Sequence, residues 1–344
     1  MRPQSISNPP NPWASTEVEY LEEIPRAQLE VYADASKQIV ASNDSPDLGF
    51  DFSVNPYRGC NHGCAYCYAR PSHEYLSFRA GSDFDTKIVV KHNAAALLRA
   101  AFDKPSWKGD PLMFSGVTDC YQPLEASLKL TRACLEVCVE YKNPAMLITK
   151  APLIERDLDV LKKLDEVAGV SVSLSIPIWD QELARAIEPG VATPKRRVQA
   201  IRTLAQAGLR VGVMVAPIIP AVSDEKMAEV LEAAREAGAT HAGYVLLRLP
   251  GSVKTVFEER IRAALPLRAD KILNRVRETR GGALYDSRFG VRGRGEGPYA
   301  DAIAAAFTAT TKRLGFNTER LPRREPTFQR PVKPSAQLTL FPPP

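Results

Sequence analysis

Long apolar segments are missing from this sequence of 344 residues. No run of eighteen apolar residues occurs, which argues against a membrane-spanning helix, and no cationic stretch followed by an apolar one predicts a secretory signal. We therefore expect a cytoplasmic protein without membrane association. With 44% hydrophobic and 25% charged residues the composition is that of a globular protein, and the length suits one large α/β domain with extensions or two modest domains.

Cysteine is scarce, with six residues, but three of them lie close together. The segment reads Asn55-Pro-Tyr-Arg-Gly-Cys60-Asn-His-Gly-Cys64-Ala-Tyr-Cys67-Tyr and has the spacing C-x3-C-x2-C. Three thiolates on one short loop can each hold one iron of a four-iron cluster, which leaves the fourth iron without a protein ligand. An open coordination position is a place where a substrate can bind, as at catalytic zinc sites.

A structural zinc site is the main alternative for this loop. Zinc in a structural role takes four ligands, commonly from paired C-x2-C units, and no second pair of this kind follows. His62 would have to be the fourth ligand, although it lies between two of the cysteines on a loop too short to turn all four side chains inward. A disulfide is a poor alternative, because three close thiols suit a reducing compartment better than a secreted scaffold.

The cysteine spacing resembles that of the radical S-adenosylmethionine (SAM) superfamily. The resemblance implies a [4Fe–4S] cluster held by Cys60, Cys64 and Cys67. It also implies that SAM chelates the open iron through its amino and carboxylate groups, and that the core is a partial (β/α)6 barrel.

Strand and helix patterns alternate between about residues 50 and 250. The six predicted strands cover residues 52–55, 112–117, 145–149, 170–176, 211–219 and 241–247. The predicted helices between them cover residues 93–102, 127–141, 154–164, 195–207 and 224–237. Six such units in series predict a parallel sheet with right-handed crossovers, whose ligands bind at the carboxyl ends of the strands. Six units rather than eight fit an open, partial barrel.

The chain divides into four predicted regions. They are an extended N-terminal arm at 1–48, the radical SAM partial barrel at 49–252, a basic and mostly helical region at 253–320 with helices at 257–280 and 299–314, and a disordered tail at 321–344. Residues 260–344 carry 17 Lys and Arg against 7 Asp and Glu, a balance of +10. Such a segment can contact phosphates, or it can be a solvated tail.

Two further motifs resemble the branch of the superfamily that contains DNA-repair photolyases and spore photoproduct lyase. They are Thr118-Asp-Cys-Tyr-Gln-Pro-Leu-Glu125 and Thr149-Lys-Ala-Pro-Leu-Ile-Glu-Arg-Asp157, and each follows a predicted strand. The resemblance covers about residues 48–250. It implies a lyase-like enzyme that cleaves SAM to a 5′-deoxyadenosyl radical and acts on a damaged nucleobase in DNA.

The same resemblance implies two SAM-binding residues near the cysteines. Tyr66 matches the aromatic residue that flanks the adenine side of SAM. Lys150 matches the lysine that pairs with the SAM carboxylate, and an ammonium in that place favours the bound anion. A solvated lysine is the alternative for Lys150.

Further SAM-pocket candidates come from the fourth strand and the segment after it. Ser173 or Ser175 matches the strand-four residue that binds SAM, and Glu188 and Arg197 are additional candidates. The serines can instead be the polar side of a strand. Arg196 is an equal rival to its neighbour Arg197.

Cys120 is the candidate catalytic residue. In spore photoproduct lyase a cysteine near this strand end returns a hydrogen atom to the product radical, a role that a weak S–H bond suits. Here the cysteine follows Thr118-Asp119, whereas the lyase pattern places it ahead of its Thr-Ser-Asp run, so a packed thiol is the alternative. Cys134 and Cys138, four residues apart on a predicted helix, are expected to pack on its buried face.

The C-terminus contains a short docking motif, Gln337-Leu-Thr-Leu-Phe341, between prolines. It resembles the peptide by which bacterial DNA repair and replication proteins bind the sliding clamp. One amide and several apolar anchors suit recognition in a groove, so Gln337, Leu338, Leu340 and Phe341 are the expected contact residues. A peptide that folds back onto the core is the alternative.

Together these features predict a radical SAM enzyme of DNA repair. Its expected partners are DNA, the bacterial sliding clamp and an electron donor that the sequence does not identify. Two other functions stay open: radical modification of RNA or protein, and a non-catalytic, clamp-associated iron–sulfur protein that binds DNA.

Overall fold

The alternating strand and helix patterns fold into a parallel sheet flanked by helices. The structure is a computed structural model that describes residues 28–318 and 326–332. The strands in these residues are β1 Glu30–Ala33, β2 Val40–Ser42, β3 Phe52–Val54, β4 Tyr57–Arg58, β5 Lys87–Val90, β6 Leu112–Phe114, β7 Ala145–Thr149, β8 Val170–Ser175, β9 Val211–Ile218 and β10 His241–Leu246.

Helices connect most of these strands. The α-helices are α1 Ser82–Thr86, α2 Ala94–Phe102, α3 Glu125–Leu128, α4 Leu130–Glu140, α5 Leu158–Val167, α6 Gln181–Ile187, α7 Pro194–Gln206, α8 Met227–Glu236, α9 Val253–Ala264, α10 Ala269–Glu278 and α11 Pro298–Leu314. Short 3-10 helices lie at Arg70–Leu76, Pro152–Asp157 and Asp224–Lys226. None of the helices in the described ranges is both long enough and apolar enough to cross a bilayer.

The predicted parallel sheet is present, with all six of its strands. The main sheet has the order β10–β9–β8–β7–β6–β3–β2, and each neighbouring pair from β3 to β10 is parallel. Consecutive parallel strands are neighbours, so each crossover returns the chain to the next position in the sheet. Strand β2 occupies the edge and runs antiparallel to β3. The mixed α/β architecture with six strand-and-helix units confirms the predicted fold class.

Helix α7 shows how the local sequence sets a crossover. Thr193 caps its N-terminus by accepting a backbone N–H at 3.3 Å, and Pro194 takes the first helical position, where an N–H would have no partner in the helix. Val198, Ile201 and Leu204 recur every three residues on the buried face, which contacts β8 and β9.

The helix predicted over residues 127–141 is divided in two. Lys129 adopts a left-handed conformation with φ of +53°, and α4 begins directly after it. The buried carboxylate of Glu125 accounts for the break, because it accepts the Thr131 N–H at 3.0 Å and the Arg156 guanidinium at 2.8 Å. The helix predicted over 257–280 is likewise divided into α9 and α10.

Two strands form within the segment predicted to be an extended arm. Strand β1 pairs in parallel with β5, which pairs antiparallel with β4, and these three make a second sheet. Since β2 belongs to the main sheet, the described part of the arm is hydrogen-bonded to both sheets.

Residues 326–332 lie in the tail predicted to be disordered, but they form a strap on the core. The Phe328 ring packs against Phe102 and Tyr141, with ring centroids 5.7 and 6.2 Å apart. Arg330 donates to three backbone carbonyls at the end of α2 and in the turn after it, at 2.7–3.0 Å. The predicted disorder therefore does not extend to the strap, because these aromatic and polar contacts hold it.

The strap lies at the amino ends of two strands. The backbone N–H of Gln329 donates to the Tyr141 carbonyl at 2.9 Å, just before β7. A Cβ at Gly109, just before β6, would lie 2.2 Å from the Cβ of Phe328, so the strap requires glycine there. The strap thus occupies the edge of the sheet opposite the carboxyl ends of the strands.

Replacing Phe328 with alanine should lower the free energy of unfolding by about 2 kcal/mol, because the ring leaves a gap between Phe102 and Tyr141. Urea unfolding measures the difference. The control is Val332→Ala, since Val332 is on the same strap but 94% exposed. Equal stability of the two variants would show that the strap does not contribute to the core.

Candidate functional site

The carboxyl ends of the parallel strands surround a cavity of about 450 Å³. Strands β6 to β10 contribute to its wall, together with the cysteine loop, which we define as residues 59–67. Open α/β sheets bind their ligands at this edge. The predicted site residues that line the cavity are Cys60, Cys64, Tyr66, Cys67, Lys150 and Ser175.

The cysteine loop turns sharply at two glycines. Gly59 and Gly63 have φ of +82° and +63°, a region that favours glycine. A Cβ at Gly59 would also lie 2.9 Å from the Phe84 carbonyl oxygen, which accepts the Cys60 N–H at 3.0 Å. Further along, Ala65 donates its N–H to a carbonyl at the end of α6 at 2.9 Å. The loop is therefore held by backbone hydrogen bonds on two sides.

A buried ion network of Arg70, Asp85 and Arg260 fixes the loop from behind. Arg70 has no exposed surface and donates to the Cys64 carbonyl at 2.7 Å and to Asp85 at 2.8 Å. Arg260 on α9 donates to the Gly63 carbonyl and to the other oxygen of Asp85. Because buried charges are costly unless paired and hydrogen-bonded, this network specifies one position for the loop.

The segment after β6 holds the loop from another side. Thr118 and Gln122 both donate to the Gly59 carbonyl, at 2.6 and 3.1 Å. Gln122 also accepts the Asn61 N–H at 3.2 Å. Two residues of the motif that resembles the photolyase branch thus position the cysteines.

Asp119, in the same segment, connects the cysteine loop to β7. It accepts the Thr149 hydroxyl at 2.6 Å and the Lys150 N–H at 2.9 Å, and it lies 3.4 Å from His62 Nδ1. Burial raises the pKa of Asp119, but His62 and the hydrogen bonds outweigh it and hold that pKa below its usual value. The ionised carboxylate therefore fixes the backbone from which the Lys150 side chain extends.

Lys150 is half-buried and its ammonium lies 5.6 Å from the centre of the Tyr66 ring. Burial lowers the pKa of Lys150, but the negative charges of Cys64, Glu188 and Asp119 act in the other direction and leave it above its usual value. A charged ammonium beside the cysteine loop can hold a carboxylate.

Glu188 and Arg197 form a fully buried pair that does not line the cavity. Arg197 donates to Glu188 at 2.7 Å and to the Ser175 carbonyl at 2.8 Å. The Tyr66 hydroxyl donates to the same carboxylate. The pair thus supports the Tyr66 ring and the end of β8 from the side remote from the cavity.

The remaining SAM-pocket candidates differ in whether they line the cavity. Arg196, the rival of Arg197, pairs with a carboxylate at the surface and is 45% exposed. Ser173 is buried, with its hydroxyl 3.4 Å from His241 Nε2, and does not line the cavity, whereas Ser175 does. Of the two serines, Ser175 is therefore the one at the cavity wall.

Cys120 is not brought to the cavity wall. Its side chain is buried in the main apolar core, and its N–H donates at 3.1 Å to Ser115, which does line the cavity. The role of hydrogen donor stays a prediction, and the geometry favours the packed thiol. Cys134 and Cys138 are fully buried on α4, where the helical spacing placed them.

The donor set of the cysteine loop suits a cluster rather than a single ion. Within 28–318 and 326–332, no three Cys, His, Asp or Glu side chains converge as ligands of one metal ion. Ligands of a four-iron cluster each bind a different iron, so they surround a larger body. Burial raises the pKa of Cys64 to about 12, and the thiol loses its proton when a metal binds. The three thiols and the nearby cation therefore fit a [4Fe–4S] cluster and an anionic cofactor.

Sequence reasoning missed the residues that hold the loop. Arg70 follows Cys67 by three residues and its closeness to the motif was a usable signal. Asp85 and Arg260 lie in no motif and become neighbours only in the folded chain. Arg248, which lines the cavity beyond β10, was also missed.

Replacing Arg70 with glutamine should lower the free energy of unfolding by about 3 kcal/mol, because Asp85 and the Cys64 carbonyl lose a buried partner. The amounts of iron and sulfide bound per chain after anaerobic reconstitution should also be lower in this variant. The matched control is Arg99→Gln, since Arg99 pairs with Glu140 at the surface and is 47% exposed. A fully loaded and equally stable Arg70→Gln protein would contradict the role of the network.

Comparison with known proteins identifies the family. A family model described as the Radical SAM superfamily matches residues 54–234. Uncharacterized proteins of Mycobacterium tuberculosis and Mycobacterium bovis are 40% identical over 212 residues, which are 61% of this chain and 62% of theirs. An uncharacterized protein of Methanocaldococcus jannaschii is 30% identical over 176 residues, 51% of this chain and 63% of that protein. The match thus spans less than two thirds of the length of these curated relatives.

Solved structures support the fold. Spore photoproduct lyase complexed with dinucleoside spore photoproduct is similar to this chain, with a TM-score of 0.55 and 19% identity over 83% of this chain and 78% of that one. A mutant of that lyase with bound AdoMet, which is SAM, and the dinucleoside spore photoproduct has the same TM-score, identity and coverage. At such identity the likeness concerns the fold alone.

The family match covers more than half of the chain and includes the three cysteines, Lys150 and Ser175. The family's cofactors are the predicted pair, a [4Fe–4S] cluster and SAM, and the residues around the cavity fit both. On its cysteine loop, its six parallel strands and its family match, this chain belongs to the radical SAM superfamily.

Proposed function

We propose that the protein is a radical SAM enzyme that acts on a damaged nucleobase in DNA. The observation that carries the proposal is a cavity at the strand ends whose wall includes the three cysteines, Lys150, Arg248 and several apolar side chains. Cofactor and substrate can therefore meet in one chamber. The cytoplasm, with its reducing conditions and an electron donor, is the proposed setting.

The cofactor pair, when bound, supplies a radical that abstracts hydrogen, and the protein supplies position and a dry chamber. Cys60, Cys64 and Cys67 are the proposed cluster ligands. Lys150 would hold the SAM carboxylate, and the Tyr66 ring, fixed through Glu188, would lie beside the ligand.

Apolar walls favour chemistry that water would interrupt. Met113, Ile148 and Met214, from β6, β7 and β9, line the cavity together with the cysteine loop. A surface of this kind excludes water from a reactive intermediate and suits the flat face of a nucleobase. A base inside a duplex would have to leave the stack to enter it.

One observation favours DNA as the substrate, and a second favours a nucleic acid over a protein. The chain shares its fold with spore photoproduct lyase, whose solved complex contains a dinucleoside photoproduct. Residues 260–344 carry a charge balance of +10, which favours a polyanion. Radical modification of RNA or protein is the alternative that these observations favour less.

The test is anaerobic turnover with SAM, dithionite and ultraviolet-irradiated DNA. We expect release of 5′-deoxyadenosine, with a fall in lesion content measured by mass spectrometry. Lys150→Met should weaken SAM binding by roughly thirtyfold, about 2 kcal/mol, because a charge-assisted contact is lost. Lys163→Met, at an exposed position on α5, is the control.

The outcomes of this assay separate the alternatives. Deoxyadenosine release with an unchanged lesion spectrum would favour modification of RNA or protein. An intact cluster with no release under any condition would favour the non-catalytic iron–sulfur protein.

Docking on a sliding clamp is a separate part of the proposal. Gln337, Leu338, Leu340 and Phe341 lie outside the described residues, so only the sequence motif supports it. Deleting 337–341 should abolish binding to an immobilised bacterial clamp, measured by surface plasmon resonance. Deleting 342–344, which are three prolines, should leave binding unchanged. Unchanged affinity in the first variant would rule out the motif as the contact.

A further inference from the structure

Two loops from opposite edges of the main sheet meet beside the cavity. One is the β2–β3 loop, residues 43–51, which contributes Asp47 and Leu48 to the cavity wall. The other is the glycine-rich loop, residues 288–297, which follows α10. Since β10 and β2 are the two ends of the sheet, contact between these loops spans the open side of the partial barrel.

The glycine-rich loop is fastened to the end of β10. Leu246 donates its N–H to the Gly293 carbonyl at 2.8 Å. The buried Arg280 donates to the carbonyls of Leu247 and Val291 at 2.7 and 2.8 Å. These bonds make the loop a fixed extension of the cavity wall.

Asp47 is the residue that joins the two loops. Its carboxylate accepts the Gly290 N–H at 2.7 Å and the Arg292 Nε–H at 2.6 Å. The Gly290 hydrogen bond, and then the charges of Arg292 and Arg248, hold the pKa of Asp47 below its usual value. A backbone N–H and a guanidinium around one anion are also the groups with which proteins bind phosphate.

Arg248 lies next to this arrangement and is incompletely satisfied. It lines the cavity, and its guanidinium carbon is 5.7 Å from the centre of the Tyr68 ring. Within the described ranges its Nε is buried without a hydrogen-bond partner, and no carboxylate forms a salt bridge with it. By contrast, Arg288 on the glycine-rich loop pairs with both Asp286 and Glu296.

The Nε atoms of Arg197, Arg260 and Arg280 are also unpartnered, but the terminal nitrogens of those side chains donate to protein acceptors. No described residue accepts from Arg248, and because an unpartnered buried donor is costly, a ligand is the acceptor that this side chain fits.

We propose that Arg248, Arg292 and the Gly290 N–H form a phosphodiester-binding site at the mouth of the cavity, in which Asp47 takes the place of the phosphate. The inference rests on the proposed action on DNA. A backbone phosphate next to the target nucleotide would displace Asp47 and accept from Arg248. Removal of Asp47 would also separate the two loops that span the open side of the barrel.

Binding of a short fluorescein-labelled oligothymidylate to the cluster-loaded protein tests the site by anisotropy. Arg248→Gln should weaken binding roughly tenfold. It should also lower the slope of log affinity against log salt by about 0.7, the change for one phosphate contact on a single strand. Asp47→Asn should strengthen binding several-fold, because the competing anion is gone.

Three controls make the result specific. The methylphosphonate form of the oligonucleotide lacks the phosphate charge. Arg248→Gln, Asp47→Asn and the unsubstituted protein should therefore bind it with equal affinity. Arg248→Lys should keep the salt slope, which separates loss of the cation from misfolding. Arg313→Gln should behave as the unsubstituted protein, since Arg313 is 58% exposed on α11.

Unchanged salt slope in Arg248→Gln, or unchanged affinity in Asp47→Asn, would overturn the inference. Tighter binding of the matching oligouridylate would overturn its assignment to DNA. Deoxyadenosine release by the unsubstituted protein reports on the proposed function independently, so failure of the phosphodiester site and failure of the enzyme are distinguishable.

Discussion

The pairing of Arg70 and Arg260 with Asp85 is the interaction on which the site depends. Three thiols on a short loop can take many arrangements, and the loop contains two glycines that widen the choice. Two guanidinium groups donate to the loop carbonyls at 63 and 64 while one carboxylate holds both cations. Loss of any one of these three side chains would leave a buried charge without its partner. The loop therefore has one stable position before any cofactor binds.

The fold was largely predictable because its signals are local. Each of the six parallel strands is a short apolar or alternating run, and the cysteine motif is contiguous in sequence. Where the sequence was insufficient, a side-chain hydrogen bond outside any periodic pattern decides the outcome. Helix α4 begins at Leu130 because Glu125 folds back to cap it, and Arg260 reaches a carbonyl 197 residues away. No periodicity encodes such contacts.

The site was predictable in composition but not in the direction of each side chain. Glu188 and Arg197 were chosen by resemblance as SAM-pocket residues, and the structure places them behind Tyr66. Cys120 follows the expected strand, yet its side chain is fully buried in the main apolar core and does not line the cavity. A motif therefore gives the segment that reaches a site, whereas packing on both sides of the backbone decides which residue faces the ligand.

The strap gives the molecule a defined polarity. Phe328 and Arg330 attach the chain at the amino edge of the sheet, and the cavity opens at the carboxyl edge. The strap and the cavity thus lie at opposite edges of the main sheet. A dye coupled at Val332, the exposed last residue of the strap, would therefore sit at the edge of the sheet opposite the cavity and leave its mouth uncovered.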